Sequence, residues 1–190
     1  STGARRSWGW RSCGAAGMVA EPGTNTPMPI LYEQPSEVGA VRSANAIAAF
    51  EKFGKGLGRP LIVLDVGTAT TLDAITANGE YLGGAICPGV TISADALFQR
   101  AARLPRIDVR KPSRVVGRTT VGAMESGLFW GYVGMVEGLV KRMSDELGGD
   151  AVCIATGGLA DVIAPEIPLI QHVDDDLTLH GRGSVGGGKP

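Results

Sequence analysis

The run Leu64-Asp65-Val66-Gly67-Thr68-Ala69-Thr70-Thr71 gathers groups that can do chemistry. An apolar stretch delivers the Asp65 carboxylate, and Gly67 then lets backbone come close to a ligand. Three threonine hydroxyls follow within four residues. A carboxylate suits a cation, whereas amides and hydroxyls suit phosphate oxygens. An aspartate at the end of an apolar strand is costly to bury without a partner. The alternative is a plain turn with threonines on a pleated surface. A second constellation is Ala155-Thr156-Gly157-Gly158-Leu159-Ala160. Glycines at a helix N-terminus can admit a flat or anionic ligand, and an ordinary tight turn would read the same way. His172 and His180 flank Asp174-Asp175-Asp176, a pattern that invites a metal but reads more simply as a solvated acidic loop. Gly183 to Lys189 has phosphate-loop spacing, but Pro190 stands where a magnesium-ligating Ser or Thr belongs.

These groups need strands and helices to hold them. Leu61-Ile62-Val63-Leu64 reads as a buried strand. Thr71–Thr76 and Tyr81–Ile86 are expected as further strands, joined by a turn at Ala77-Asn78-Gly79. Glu37–Phe53 has apolar residues at helical spacing, Val38, Val41, Ala44, Ala48 and Ala49. A helix is expected over Ala94–Arg103, capped by Ser93 and stopped by Pro105. A longer one should run from Thr120 to Leu147, with Val121, Met124, Leu128, Met135, Leu139 and Met143 as its apolar positions. Val152–Ala155 is another buried strand, Gly157-Gly158 opens a short helix, and Leu169-Ile170 is a last short strand. The order is that of half an α/β nucleotide-binding fold of the actin-like or sugar-kinase kind.

Composition narrows the classes. The chain has 190 residues, 44% hydrophobic, with 18 basic against 19 acidic side chains. A packed core is available, and the charge balance speaks against nucleic acid. Cys13, Cys87 and Cys153 are scattered and odd in number, as expected for reduced thiols in a cytoplasmic protein. No apolar run approaches the ~18 residues of a membrane span. Arg5-Arg6 is followed by no apolar stretch, so no secretory signal is read there. Residues 1–21 are expected to be a disordered or foreign leader, 22–180 the folded domain, and 181–190 a flexible Gly-rich tail. Glycine is abundant, 29 residues, and Gly127, Gly131, Gly134 and Gly138 recur along one stripe of the long helix.

Together the motifs resemble the type III pantothenate kinases. The resemblance runs from about Pro22 to His180. It includes Ile30-Leu31-Tyr32-Glu33, Glu37-Val38-Gly39-Ala40, the Asp65–Thr71 turn and Gly83-Gly84-Ala85-Ile86-Cys87-Pro88-Gly89. It also includes Leu97-Phe98, Leu104-Pro105, Ser126–Tyr132 and Ala155–Ala160. It implies an actin-like, ribonuclease H-like fold of the acetate and sugar kinase kind, usually a homodimer. The implied activity is ATP-dependent phosphorylation of pantothenate, the first step toward coenzyme A. By the resemblance, Asp65 would hold a monovalent cation, potassium or ammonium. Gly67 and Thr68 would meet ATP phosphates, and Gly157 and Gly158 would lie against adenosine. Tyr32, Gly39, Ala40, Val41, Arg42 and Thr120 would line the pantothenate pocket. Arg42 would face the transferred phosphoryl group.

The departures are equally specific. The family turn reads Gly-Ala-Asp-Arg, and its Asp is the base that takes the pantothenate hydroxyl proton. Val41 stands there and cannot accept a proton, a loss of ~10²–10⁴-fold for general base catalysis. The family's opening Asp-x-Gly-Asn-Thr loop, which seats magnesium and the terminal phosphates, has no counterpart in the 190 residues; Pro22-Gly23-Thr24-Asn25-Thr26 lacks its Asp. The expectation is a kinase's second half with the first half-domain missing and catalysis impaired. The alternative is a non-catalytic remnant that binds nucleotide or pantothenate, or dimerises.

Overall fold

In a computed structural model, residues 28–101 and 104–177 are described. The expected leader, Cys13, His180, the tail and Arg103 lie outside the described residues. The centre is a five-stranded sheet: β1 Leu61–Val66, β2 Ala69–Ile75, β3 Tyr81–Pro88, β4 Val152–Thr156 and β5 Ile170–Val173. Their order is β3-β2-β1-β4-β5. The first three form the antiparallel meander the sequence suggests, while β4 pairs parallel with β1, and β5 parallel with β4. β1 is apolar on both sides because it lies mid-sheet, flanked by β2 and β4. The Asn78-Gly79 turn forms with Gly79 at φ 83°, a conformation that favours glycine.

The strand period of two sorts side chains between two layers. Leu61, Val63, Ile75 and Ile154 meet α1 (Ala40–Ala49), whose small apolar residues Ala46, Ile47 and Ala49 let it sit close. Ile62, Leu64, Val66, Leu72, Cys153 and Ala155 meet α3 (Thr120–Glu146) and the short α4 (Ala160–Ile163). α2 (Val90–Arg100) follows β3. α3 has 27 residues, about 40 Å at 1.5 Å per residue.

Two expectations change. α2 starts at Val90 after Gly89, so Ser93 does not cap it; the Ser93 hydroxyl donates to the Gly89 carbonyl at 3.1 Å, inside the first turn. α3 is capped by Thr119, whose hydroxyl accepts from the Gly122 amide at 3.0 Å. The face α3 presents to the sheet is Phe129, Tyr132, Val133, Val136 and Val140. Of the positions expected from sequence only Met124 is buried; Val121 is exposed, Leu128 is half-buried, and Met135, Leu139 and Met143 flank the contact. Two apolar stripes on one helix both keep the helical period, so the period alone does not choose between them. Among the described residues no helix is long and apolar enough to cross a membrane.

Candidate functional site

β1 and β4 run side by side and end together, Asp65 level with Thr156. The turns after them, Gly67-Thr68 and Gly157-Gly158, are therefore neighbours at the carboxyl edge of the parallel strands, where open α/β sheets place ligands. Gly157 has φ 98°, and a Cβ there would lie 2.7 Å from Asp65 Oδ1 and 2.7 Å from the Val66 carbonyl. Glycine at 157 is thus required both by its dihedral and by the carboxylate beside it. α4 has only four residues, so little helix dipole is available there, and the turn's usefulness lies in its bare backbone instead. Thr68 is exposed and Gly67 partly so. The Thr68 carbonyl accepts from the Gly89 amide at 3.0 Å, which ties this turn to the start of α2.

Asp65 and Thr71 lie on the α1 face, and Thr70 on the α3 face, where it shares a short hydrogen bond with Tyr132. Burial pushes the Tyr132 hydroxyl's pKa up, and the Thr70 bond opposes that rise. Asn45 on α1 donates through Nδ2 to Asp65 Oδ2 at 3.0 Å. Burial raises the Asp65 carboxyl above the usual range; the Asn45 bond pulls it down, and the charge of Asp73 adds to the rise. Asn45 Oδ1 and Thr156 Oγ1 are buried without a hydrogen-bond partner among the described residues. A raised carboxylate bonded to one residue with an unsatisfied oxygen, and level with a second, is a donor set of hard oxygens. Such a set could hold a hard cation. The described residues contain no group of three or more His, Cys, Asp or Glu side chains that could hold a metal ion.

The first turn of α1 carries the second cluster. Gly39 is the residue before α1, and Gly39, Ala40 and Val41 are exposed. Arg42 points the other way, toward the sheet. Its Nε donates to Asp73 Oδ1 at 2.8 Å, and its Nη2 lies 2.6 Å from the same oxygen. Burial alone would lower the Arg42 pKa, but the bond and charge of Asp73 outweigh it and raise the value. Tyr81 also donates to Asp73 Oδ1, at 2.6 Å, and burial with the adjacent carboxylate holds its hydroxyl protonated. The Arg42 guanidinium sits 5.9 Å from the Tyr81 ring centre, and Tyr32 meets that ring edge-on at 6.4 Å. The structure therefore brings Tyr32, Arg42 and the Gly39–Val41 turn together, and links them through α1 to Asp65. Thr120 opens α3, which packs on the opposite face of the sheet, and no described contact joins it to this cluster.

Asp175 and Asp176 are exposed, as in a solvated acidic loop, whereas Asp174 is buried and paired with Lys52 at 2.7 Å, and the exposed His172 stacks on Phe53 with ring centres 4.8 Å apart. Cys87 and Cys153 are free thiols, and burial pushes Cys153 up to about 12. The sequence reading missed Asn45, Asp73 and Tyr81, and gave Thr156, within the second glycine motif, no role of its own. The available signal was a lone polar residue in an apolar run, as in Ala44-Asn45-Ala46-Ile47 and Leu72-Asp73-Ala74-Ile75.

A mixed α/β sheet with flanking helices and glycine turns at its carboxyl edge is consistent with an actin-like kinase domain. Residues 8–142 match the model of the type III pantothenate kinase family, and the chain belongs to that family. It is 52% identical over 164 residues to the type III pantothenate kinase of Koribacter versatilis, covering 86% of this chain and 58% of that protein. It is 54% identical over 168 residues to that of Syntrophotalea carbinolica, covering 88% and 64%. The chain thus spans about three fifths of the length of these curated relatives. A Campylobacter jejuni crystal structure, described as a conserved Baf family transcriptional activator, superposes with a TM-score of 0.53 at 22% identity. It covers 75% of this chain and 62% of that one, and it supports the fold alone.

Proposed function

We propose that this chain supplies the pantothenate-binding and adenosine-binding part of a type III pantothenate kinase, the ATP-dependent enzyme that opens coenzyme A biosynthesis in the cytoplasm. The single observation that carries the reading is the pair of adjoining turns at the ends of β1 and β4, set against Asp65. On this reading Gly67 and Thr68 meet the ATP phosphates, and Gly157 and Gly158 lie against adenosine. Asp65 holds potassium or ammonium with Asn45 and Thr156 as neutral donors, and the bound cation supplies positive charge beside the phosphates. Tyr32, Gly39, Ala40, Val41 and Arg42 line the pantothenate pocket, and Thr120, on the opposite face of the sheet, does not join them within one copy. Magnesium travels with ATP and is not assigned to the described residues. The sheet order, an antiparallel meander joined to parallel strands, supports the ribonuclease H-like label and one half of an actin-like pair.

Val41 supports an impaired chemical step. It is exposed on the first turn of α1 and offers no atom that takes a proton. A non-catalytic binding or dimerising remnant is the second reading, and the same residue favours it. Assembly as a homodimer is also proposed. A Cβ at Gly127, Gly131 or Gly134 would meet no atom within 4 Å, so these three pack on nothing among the described residues, while Gly138 lies under the Arg142 side chain. A second copy crossing there would explain it.

The test is calorimetric titration of the 190-residue chain with ATP and with pantothenate, alongside an assay for phosphopantothenate. Binding of both without turnover above background is expected, and Val41→Asp alone should not restore turnover. Absence of both binding events would defeat the reading, and phosphopantothenate made by the unaltered chain would defeat the impairment.

A further inference from the structure

Asp73 has no part in the site proposed above, yet it is completely buried. Three donors converge on its Oδ1: Arg42 Nε at 2.8 Å, Arg42 Nη2 at 2.6 Å and the Tyr81 hydroxyl at 2.6 Å. The Thr71 hydroxyl donates to Oδ2 at 3.3 Å. Val63 opposite Asp73 and Ile75 two residues on are apolar and fully buried, while Thr71 on the same face is polar and half-buried. A charged pair in such a place adds little stability, because apolar residues of similar volume often serve as well or better. A fixed geometry is what it does provide. Arg42 and Asn45 lie three residues apart on α1, and each reaches an aspartate on the sheet, Asp73 on β2 and Asp65 on β1. Arg42 holds the turn that carries Gly39, Ala40 and Val41, and Asn45 holds the turn after it.

We infer that Asp73 is a positioning residue: it grips the guanidinium of Arg42 by its Nε–Nη2 edge, leaves Nη1 out of that grip for a ligand, and so sets the first turn of α1 at the pocket mouth. Tyr81 shares the oxygen and floors the guanidinium, which keeps it from swinging toward solvent. An arginine suits this task because its planar fork can be held by one edge while the other stays available, which a lysine cannot do. The inference rests on the reading of Gly39–Arg42 as the pantothenate pocket and adds to it the group that orients it.

The experiment uses nitrogen-15 NMR of the intact chain, with the Arg42 Nε–H resonance identified by its absence in Arg42→Lys. The unaltered chain should show a slowly exchanging Arg42 Nε–H, unlike exposed arginines such as Arg114. Asp73→Asn should broaden or lose that resonance, and Tyr81→Phe should keep it with faster exchange. In calorimetry with pantothenate, Asp73→Asn should weaken binding by about tenfold or more, with no further weakening when added to Arg42→Lys. An Arg42 Nε–H exchanging as fast as that of Arg114 overturns the inference, and it needs no variant to fold. So does an Asp73→Asn protein that binds pantothenate like the parent. A held Arg42 in a chain that binds no pantothenate overturns the pocket reading itself, a different result from either.

Discussion

The two faces of the sheet are built from alternate residues of the same strands, yet they differ in kind. On the α3 face, Ile62, Leu64 and Leu72 pack against Phe129, Val133 and Val136, and Thr70 makes a buried polar contact with Tyr132. On the α1 face, Asp65, Asp73 and Thr156 interrupt the apolar surface, and α1 answers with Arg42 and Asn45. The α3 face is close-packed hydrocarbon and sets stability. The α1 face accepts desolvated charge in return for defined geometry at the carboxyl edge. Burial of charge without such a return is unfavourable, so the polar residues mark where function sits.

The sharpest way to break that contrast is Phe129→Ala. Phe129 is fully buried, and truncating a core phenylalanine typically costs about 3–5 kcal/mol. Urea denaturation should show it, and a loss under about 1 kcal/mol would mean that the α3 face is not the stabilising one. Next is Arg42→Met, which strands the Asp73 charge and should cost about 3 kcal/mol. Adding Asp73→Leu should recover most of that loss, because the pair then becomes apolar on an apolar face. A double variant weaker than either single one would contradict the account of the α1 face.

A smaller effect concerns Asp65. Its folded pKa is raised, so the native state binds more protons than the unfolded chain once pH exceeds the usual carboxylate value of about 4. Its contribution to stability therefore falls as pH rises from there through the folded value. In a buffer with a bulky organic cation, the melting temperature of the parent minus that of Asp65→Asn should become more negative between pH 4 and 7. Potassium should reverse the trend by lowering the carboxyl's pKa. Equal differences in both buffers would remove the cation from the site. The smallest effect is at Gly131. With nothing within 4 Å of its Cβ position, Gly131→Ala should stabilise the isolated chain by about 1 kcal/mol through helix propensity. Gly131→Leu should shift sedimentation from dimer to monomer. A parent that sediments as a monomer at micromolar concentration would end the assembly proposal.

Much of the fold was legible beforehand because strong local signals coincide with real elements. The β1 run, the Asn78-Gly79 turn and the α3 start and stop were each read within a few residues. Ends were missed where backbone contact overrides side-chain preference. α2 begins at Val90, directly after Gly89, whose amide donates to the Thr68 carbonyl, and not after Ser93 as cap. In the candidate site, the glycine turns and Asp65 were visible. The partners of Asp65 and Arg42 were not, since Asn45 and Asp73 look like ordinary polar residues until strands and helix meet.

The sequence by itself determined the identity and order of the elements, the two glycine turns and the family to which the chain belongs. Those rest on local spacing and on motifs contiguous along the chain. The tertiary structure decided which apolar stripe of α3 is buried and that Thr156 stands level with Asp65, 91 positions away. It also decided that Arg42 spends its charge on Asp73, 31 residues distant. Strand register and helix rotation settle such matters, and both are chosen by how the whole core packs rather than by any residue's neighbours in sequence.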